Sequence, residues 1–220
     1  MRPLTERWAK PVLPIDGRPV IGTLLRDLAE AGIERATVVT GHLAEQVEGL
    51  VGDGSAFGLA VSYVHQPEPL GSADAVLRAL RAGARPPFVV AAADTVFAPG
   101  DLGRFIAGGA AAAGAIAGRR EPPPSPPNRL PLGIVEGRVE RVLDDDPENP
   151  IGGAPLWLVG PAVARFLDPL PGKPPYELST AFQLAIDSGA DIRGIEIGPT
   201  RDLTSALDLV KENFLYLGGT

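Results

Sequence analysis

The chain has 220 residues, of which 45% are hydrophobic, enough to form the core of one domain. Its net charge of −7 argues against a nucleic-acid partner and against an anionic membrane surface. It has no cysteine, which excludes disulfides and thiolate metal sites, and it shows no signal peptide and no apolar run of the about 18–20 residues that a membrane-spanning helix needs. We therefore expect a cytoplasmic protein.

Apolar residues at helical spacing alternate with short apolar runs along the chain. Pro19 and Gly32 mark the start and the end of the first helix. The predicted helices cover residues 20–31, 43–51, 72–82, 99–106, 161–167, 178–188 and 205–217. The predicted strands cover residues 36–40, 59–64, 87–93, 132–136, 138–143, 155–159 and 191–197, with a strand or loop over 108–118 and a proline-rich loop over 121–131.

This alternation predicts an α/β fold in which a mostly parallel sheet carries helices on both faces. The second half of the chain reads as a small β-rich insertion that covers the substrate side of the sheet. Ligands of such sheets bind at the carboxyl ends of the strands. Gln66 and Asp94 each follow a predicted strand, so we expect both at the ligand-binding edge.

The stretch from Met1 to Ile21 has an unusual composition for the first residues of a domain, because it is rich in proline and carries several cations. Four prolines within it restrict the backbone, so a stiff and mostly non-helical segment is expected as far as Pro19. This segment carries the cations Arg2, Arg7 and Lys10. Composition alone leaves two interpretations open: a surface loop with solvated cations, or a stiff strap that fixes a lysine for binding phosphate.

The order of the residues in this stretch resembles the opening signature of the sugar-1-phosphate nucleotidyltransferases, which make nucleotide sugars. Ala9 stands where that family often has proline. The positions that fall in register with the family are Pro3-Leu4-Thr5, Lys10-Pro11, Leu13-Pro14-Ile15 and Arg18-Pro19-Val20-Ile21. The resemblance implies a single Rossmann-like nucleotidyltransferase domain, with a nucleotide-binding half over residues 1–107 and a sugar-binding half over 108–220.

In that family a first strand and a glycine-rich loop with an arginine precede this signature, and the sequence begins at Met1 with neither. Backbone N–H groups of a glycine-rich loop close around phosphates, so this phosphate cradle is expected to be lacking. Two neighbouring strands are also expected to lack the partner that would lie between them. An internal methionine and a truncated product both remain open as explanations of Met1.

Asp94 and Asp202 are the metal-site candidates. Asp94 ends an apolar strand, where a carboxylate is costly to bury unless it binds something; the alternative is an aspartate that caps a helix or forms a turn. For Asp202 the alternative is an N-terminal cap of the helix that follows. In the resembled family the aspartate at this strand end binds Mg²⁺, and a second aspartate, aligned with Asp202, completes the site. Mg²⁺ takes one or two carboxylates together with phosphates and water. The resemblance therefore implies Mg²⁺ as cofactor, with Lys10 and Asp94 as catalytic residues.

The nucleotide-binding candidates follow the second predicted strand. Gln66, Pro69, Gly71 and Ser72 lie at the place of the family's base-binding motif. An amide side chain can donate to one edge atom of a base and accept from another, which suits uracil or thymine. Glycine leaves room for the base to approach. The alternative is a turn before a helix with Ser72 as its cap, and both can hold together.

On the sugar side the resemblance implies Gly133 and Asp145 as substrate-binding residues. Asp145 stands where the family has a glutamate for the sugar hydroxyls, and Asp146 stands where it has a lysine for the sugar phosphate, with reversed charge. Glu177 is a further candidate for lining the sugar pocket.

The implied reaction is transfer of a nucleotidyl group from UTP or dTTP to glucose-1-phosphate or N-acetylglucosamine-1-phosphate, giving a nucleotide sugar and pyrophosphate. The alternative is a non-catalytic relative that binds a nucleotide or sugar phosphate for regulation. Guanylyl- and cytidylyl-transferring branches also stay open, although Gln66 favours uracil or thymine. The expected partners are these small molecules, without nucleic acid or membrane, and a homo-oligomer is left open.

Overall fold

A computed structural model of the chain describes residues 1–120, 130–146 and 148–214. The α-helices are α1 Val20–Glu30, α2 Ala44–Val51, α3 Ser72–Arg81, α4 Asp101–Gly109, α5 Pro161–Ala164, α6 Leu178–Asp187 and α7 Ala206–Asn213. The strands are β1 Pro14–Ile15, β2 Arg18–Pro19, β3 Arg35–Thr40, β4 Ala60–His65, β5 Phe88–Ala91, β6 Thr95–Val96, β7 Gly114–Arg120, β8 Gly133–Val135, β9 Arg138–Arg141, β10 Ile151–Val159, β11 Ile192–Ile197 and β12 Arg201–Asp202. Short 3₁₀ helices form at Leu4–Glu6, Lys10–Val12 and Ser55–Phe57.

The chain divides into two compact units, each assembled from separate stretches. The first unit contains Met1–Pro67, Ala92–Gly103 and the described part of Thr200–Thr220, and the second contains Glu68–Ala91 and the described part of Arg104–Pro199. The division into nucleotide-binding and sugar-binding halves at 107/108 is a functional one and stays a prediction. None of the described helices is long and apolar enough to cross a membrane.

In the first unit, α1 supplies most of the core because its apolar residues recur at helical spacing. Its buried side chains are those of Val20, Ile21, Leu24, Leu25 and Leu28. Leu13, Ile15 and Leu203 pack with Val20 in a small cluster that joins the N-terminal strap to the chain just before α7. Strands β3 and β4 form a parallel pair, while β1 pairs with β2 and β6 with β12, both antiparallel.

The second unit is built on a six-stranded sheet in the order β5-β10-β7-β11-β9-β8. Its core packs α3, α5 and α6 against the sheet, with Phe182 fully buried and its ring 4.9 Å from that of Trp157. Strand β7 is buried along most of its length, whereas all four residues of the edge strand β5 are half-buried. Hydrophobic burial of this kind is the main stabilising term of such a unit.

The α/β class is confirmed, but the sheet is less parallel than the sequence predicts. Strands β5, β7 and β11 run in one direction, as strand–helix alternation requires, and only β7 and β11 are direct neighbours among them. Strand β10 enters between β5 and β7 in the opposite direction, and the hairpin β8–β9 adds further antiparallel pairs. Among the described residues, β3 pairs only with β4 and β5 only with β10, so each has one unpaired edge.

Candidate active site

Lys10 and Asp94, 84 positions apart in the chain, meet in the first unit. The strap bends into the 3₁₀ helix Lys10–Val12, with Pro11 near its start, and this turn fixes the base of the lysine side chain. Lys10 Nζ donates to Asp94 Oδ2 at 2.5 Å, and the two side chains are 33% and 28% exposed. The half-buried pair places a cation and a carboxylate side by side where a charged ligand can still reach them.

Asp202 lies on the strand next to Asp94. Strand β12 pairs with β6 so that Asp202 stands opposite Thr95, the residue that follows Asp94. The Asp202 side chain is exposed, and its Oδ1 accepts a 3.3 Å hydrogen bond from the Thr204 hydroxyl. It does not cap α7: Ser205 is the N-cap residue and forms a reciprocal capping box with Asp208. The capping alternative for Asp202 is therefore wrong, and its carboxylate stays open to a ligand.

The donor set fits Mg²⁺. Asp94, directly before β6, and Asp202, on the paired strand β12, offer the one or two carboxylates that this ion takes from a protein, and leave the remaining positions to phosphate and water. Among the described residues no group of three histidine, cysteine, aspartate or glutamate side chains could hold a metal, so a closed all-protein cage is absent from this part of the chain. An open site of two carboxylates is the kind that holds a metal together with its phosphate ligand.

Sequence reasoning missed Gln46, which holds the strap in place. Its Oε1 accepts from the Ala9 backbone N–H at 2.8 Å, and its Nε2 donates to the Arg7 carbonyl at 2.8 Å. One amide from α2 thus grips the chain on both sides of Trp8, immediately before Lys10. Nothing in the helical pattern of α2 distinguishes this glutamine from an ordinary polar residue.

Gln66 directly follows β4, at the carboxyl end of the β3–β4 pair. Its backbone N–H donates to the Thr40 carbonyl at 2.7 Å, which ties it to the end of β3. A Cβ on Gly41 would lie 3.1 Å from the Gln66 carbonyl oxygen, so the turn after β3 is tight here. The predicted position at the ligand-binding end of a strand is found, and its role as base reader stays a prediction.

In the second unit, the structure shows why position 71 requires glycine, which the sequence alone did not show. Its φ of +107° favours glycine, and a Cβ there would overlap the Tyr176 carbonyl group and lie 2.6 Å from the Tyr176 nitrogen. Two backbone hydrogen bonds hold this approach: Tyr176 N–H to the Leu70 carbonyl at 2.7 Å and Ala73 N–H to the Tyr176 carbonyl at 2.8 Å. The space beside Gly71 is taken by protein backbone, whether or not a base binds nearby.

Ser72 does not cap α3, contrary to the sequence-based alternative. Gly71 is the N-cap residue, and no side chain caps this helix. The Ser72 hydroxyl instead donates to Glu177 Oε2 at 2.6 Å and accepts from the Leu178 N–H at 2.8 Å. Because α6 begins at Leu178, Ser72 accepts from an N–H group in the first turn of a different helix. Its bond to Glu177 joins two residues that the sequence predicts to bind ligands. Pro69 is exposed.

The three consecutive aspartates Asp144-Asp145-Asp146 form an acidic run, and it is Asp144, rather than Asp145, that contacts the interior. Asp144 Oδ2 accepts from the buried Asn149 side chain at 2.6 Å, and Asn149 also donates to the Leu132 carbonyl. The Asp145 side chain is 88% exposed and pairs with Arg141 at 3.4 Å. Gly133 lies beside this run, since a Cβ there would lie 3.5 Å from the Asp144 carboxylate. Gly133 and Asp145 stay predictions as sugar ligands; Pro147 lies outside the described residues.

Comparison with known proteins decides the family. The family model described as "Nucleotidyl transferase" matches residues 1–125, more than half of the chain. The chain is also 32% identical over 228 aligned residues to a glucose-1-phosphate thymidylyltransferase of Streptomyces antibioticus, covering 97% of this chain and 62% of that protein. The chain belongs to the sugar-1-phosphate nucleotidyltransferase family. A further relative, the N-acetylmuramate alpha-1-phosphate uridylyltransferase of Neisseria meningitidis, is 37% identical over 99 residues, 44% of this chain and 42% of that protein.

Solved structures show the same fold for this nucleotidyltransferase-family chain. A Bacillus anthracis structure described as a glucose-1-phosphate thymidylyltransferase in complex with a sucrose superposes with a TM-score of 0.84 at 18% identity, over 100% of this chain and 91% of that one. A UDP-glucose pyrophosphorylase complexed with UDP-glucose gives 0.83 at 17% identity, over 99% and 94%. The chain spans 62% and 42% of the two curated relatives named above.

Proposed function

We propose that this protein transfers a nucleotidyl group from UTP or dTTP to a sugar-1-phosphate, glucose-1-phosphate or N-acetylglucosamine-1-phosphate, giving a nucleotide sugar and pyrophosphate. The observation that carries the proposal is the Lys10–Asp94 pair beside the strand of Asp202. This reaction needs alignment and charge neutralisation rather than a protein nucleophile. Lys10 would supply positive charge directly, and the two carboxylates would supply it through the Mg²⁺ that they would hold. The thymidylyltransferase and uridylyltransferase relatives support the same class of reaction.

In the proposed reaction a phosphate oxygen of the sugar-1-phosphate attacks the α-phosphorus of the nucleotide, and the bond from that phosphorus to the pyrophosphate oxygen breaks. Asp94 and Asp202 would hold Mg²⁺, which supplies positive charge against the phosphate oxygens when bound. Lys10 Nζ then binds the phosphates as a point charge and offsets the negative charge that develops on the leaving pyrophosphate. Its present bond to Asp94 keeps the ammonium aimed at the metal-binding carboxylate.

The substrate contacts divide between base and sugar. We assign the base to Gln66, whose amide can both donate and accept. The sugar is assigned to Gly133 and to the carboxylates of Asp145 and Glu177. Within the described part of the chain, the exposed Asp145 side chain pairs with the exposed Arg141, and it can leave this pair for a sugar hydroxyl at small cost.

The acidic run favours a second candidate function, binding without turnover. Asp146 brings negative charge to the position where the family signature has the lysine for the sugar phosphate. Its Oδ1 accepts from the Glu148 N–H at 2.9 Å, which gives it a place in a local turn. A protein that binds the nucleotide but holds the sugar phosphate poorly would act as a regulatory relative rather than as an enzyme.

The test is pyrophosphate release with Mg²⁺, across UTP, dTTP, GTP and CTP and across the two sugar-1-phosphates. We expect release with UTP or dTTP, and a loss of at least a hundredfold in Asp94→Asn, because one oxygen ligand and its charge are removed. Asp168→Asn is the matched control, since it removes a carboxylate from an exposed ion pair with Arg81. Nucleotide binding without release for any pair would favour the second candidate, and full activity of Asp94→Asn would remove the metal assignment.

A further inference from the structure

The hydrogen-bonded ladder between strand β12 and strand β6 is very short. Strand β12 has two residues, Arg201 and Asp202, and among residues 1–120, 130–146 and 148–214 its ladder partners are Val96 and Thr95 of β6. A two-residue ladder adds few hydrogen bonds and buries little surface, so it cannot by itself fix a side chain on that strand. The position of the Asp202 carboxylate therefore depends on other contacts of the same short strand.

Arg201 supplies these contacts, because its guanidinium binds two other segments of the first unit at once. Nη1 and Nη2 donate to the two carboxylate oxygens of Asp16 at 2.5 and 2.9 Å. Nε donates to Glu212 Oε2 at 2.5 Å, and Nη2 also reaches the Glu212 carbonyl at 3.3 Å. The side chain is 35% exposed, which makes this a partly shielded, bidentate arrangement of the strong kind.

The two partners are themselves joined. The Asp16 N–H donates to the Glu212 carbonyl at 3.3 Å, and the Gly17 N–H donates to Asn213 Oδ1 at 2.8 Å. Asn213 in turn donates to the Pro14 carbonyl at 2.8 Å. The β1–β2 hairpin that follows the Lys10 strap, the end of α7 and β12 thus form one hydrogen-bonded assembly with Arg201 at its centre.

Asp16 and Arg201 each stabilise the charged form of the other. The guanidinium of Arg201 lowers the pKa of Asp16 below its ordinary value by donating hydrogen bonds to the ionised carboxylate. The hydrogen bonds that Arg201 donates to Asp16 and Glu212 raise its already high pKa. Asp16 also adopts a left-handed backbone with φ of 52°, uncommon for a residue other than glycine, at the point where Arg201 grips it.

We propose that Arg201 is a positioning residue for the metal-binding carboxylate of Asp202, and that it holds this carboxylate beside Asp94 by anchoring β12 to the hairpin and to α7. The inference rests on the proposed function, since it takes Asp202 as a metal ligand. Arg201 does not contact the metal or the substrate in this role. Groups that orient metal ligands typically change metal affinity by about 10- to 100-fold, and an anchor that acts through the backbone belongs at the lower end.

The test compares Arg201→Lys with Arg120→Lys by Mn²⁺ binding, measured by electron paramagnetic resonance with Mn²⁺ alone and with UTP. Arg120 is the matched control because it also binds a carboxylate through two nitrogens, at 3.2 and 3.0 Å from Glu196, on an exposed surface. We expect about tenfold weaker Mn²⁺ binding in Arg201→Lys and no change in Arg120→Lys, with both variants folded by circular dichroism. Asp16→Asn, which keeps the arginine and weakens one partner, should give a smaller loss of about threefold.

Repeating the Mn²⁺-binding measurement in an Asp202→Asn background distinguishes an effect through Asp202 from a general structural effect of Arg201. If Arg201 acts through Asp202, Arg201→Lys should weaken Mn²⁺ binding no further there. An equal loss in both backgrounds, equal losses in the two lysine variants, or unchanged binding in Arg201→Lys would each overturn the inference, as would a wild-type chain that binds no Mn²⁺. Mn²⁺ binding needs no turnover, so an inactive protein that shows the predicted pattern would refute the proposed reaction and leave this inference standing.

Discussion

Replacing Gly71 with alanine is the perturbation whose cost the structure defines best. At φ of +107° an alanine is strained, which costs about 1–3 kcal/mol in this region of backbone space. The new Cβ would also lie 2.6 Å from the Tyr176 nitrogen and 2.8 Å from its carbonyl carbon, so that segment must move. Moving it breaks the two backbone hydrogen bonds of Tyr176, each contributing about 0.5–1.5 kcal/mol. We expect a total loss of about 2–6 kcal/mol in the free energy of unfolding.

Gly83→Ala is the matched control for this prediction. Its φ is +113°, and no heavy atom lies within 4 Å of the Cβ position, so it carries the backbone strain without the collision. The two variants should therefore differ by about 2 kcal/mol, which at a denaturant dependence of about 2 kcal/mol per molar shifts the urea midpoint by about 1 M. Urea unfolding followed by circular dichroism measures this shift. Coincident midpoints for the two variants would refute the role given to Tyr176.

Two further substitutions test the supports around the predicted ligands. Gln46→Ala removes both hydrogen bonds that hold the strap at Arg7 and Ala9. We expect kcat/KM for pyrophosphate release to fall about tenfold, while the free energy of unfolding measured in urea falls by only about 1 kcal/mol. An unchanged kcat/KM would contradict the role of Gln46 in positioning Lys10. Ser72→Ala leaves the Leu178 N–H without its acceptor, so we expect a loss of about 1 kcal/mol by urea unfolding and a raised KM for the sugar-1-phosphate; a stability equal to the wild type would show that water replaces the serine.

The elements that periodicity defines were predictable from the sequence. Helices α1 and α6 and the β8–β9 hairpin lie close to their predicted bounds, because each is specified by neighbours within a few residues. The shared direction of β5, β7 and β11 was predictable as well, but the opposite direction of β10 and the strand order were not. No sequence pattern within or next to β10 predicts its place between β5 and β7, because that pairing is decided by the packing of the whole sheet.

The site shows the same division between local and distant information. Lys10, Asp94 and Asp202 were each selected by a motif, whereas the Lys10–Asp94 ion pair and the β6–β12 ladder join segments far apart in the chain. Gln46 and Arg201 were missed because their partners are backbone groups and carboxylates of distant segments. Ser72 was assigned to the wrong helix for that reason, since a serine before a helix pattern gives no sign of a second helix beginning beside it.

The central claim is that a sugar-1-phosphate oxygen attacks the α-phosphorus of a nucleotide in the site of Lys10, Asp94 and Asp202. We would follow a sugar-1-phosphate whose phosphate carries ¹⁸O, together with UTP or dTTP and Mg²⁺, and locate the label by mass spectrometry. With the wild type, we expect all of the label in the nucleotide sugar and none in pyrophosphate. With Asp94→Asn, we expect no labelled nucleotide sugar to form. Label in pyrophosphate, or unlabelled nucleoside monophosphate as the product, would contradict it.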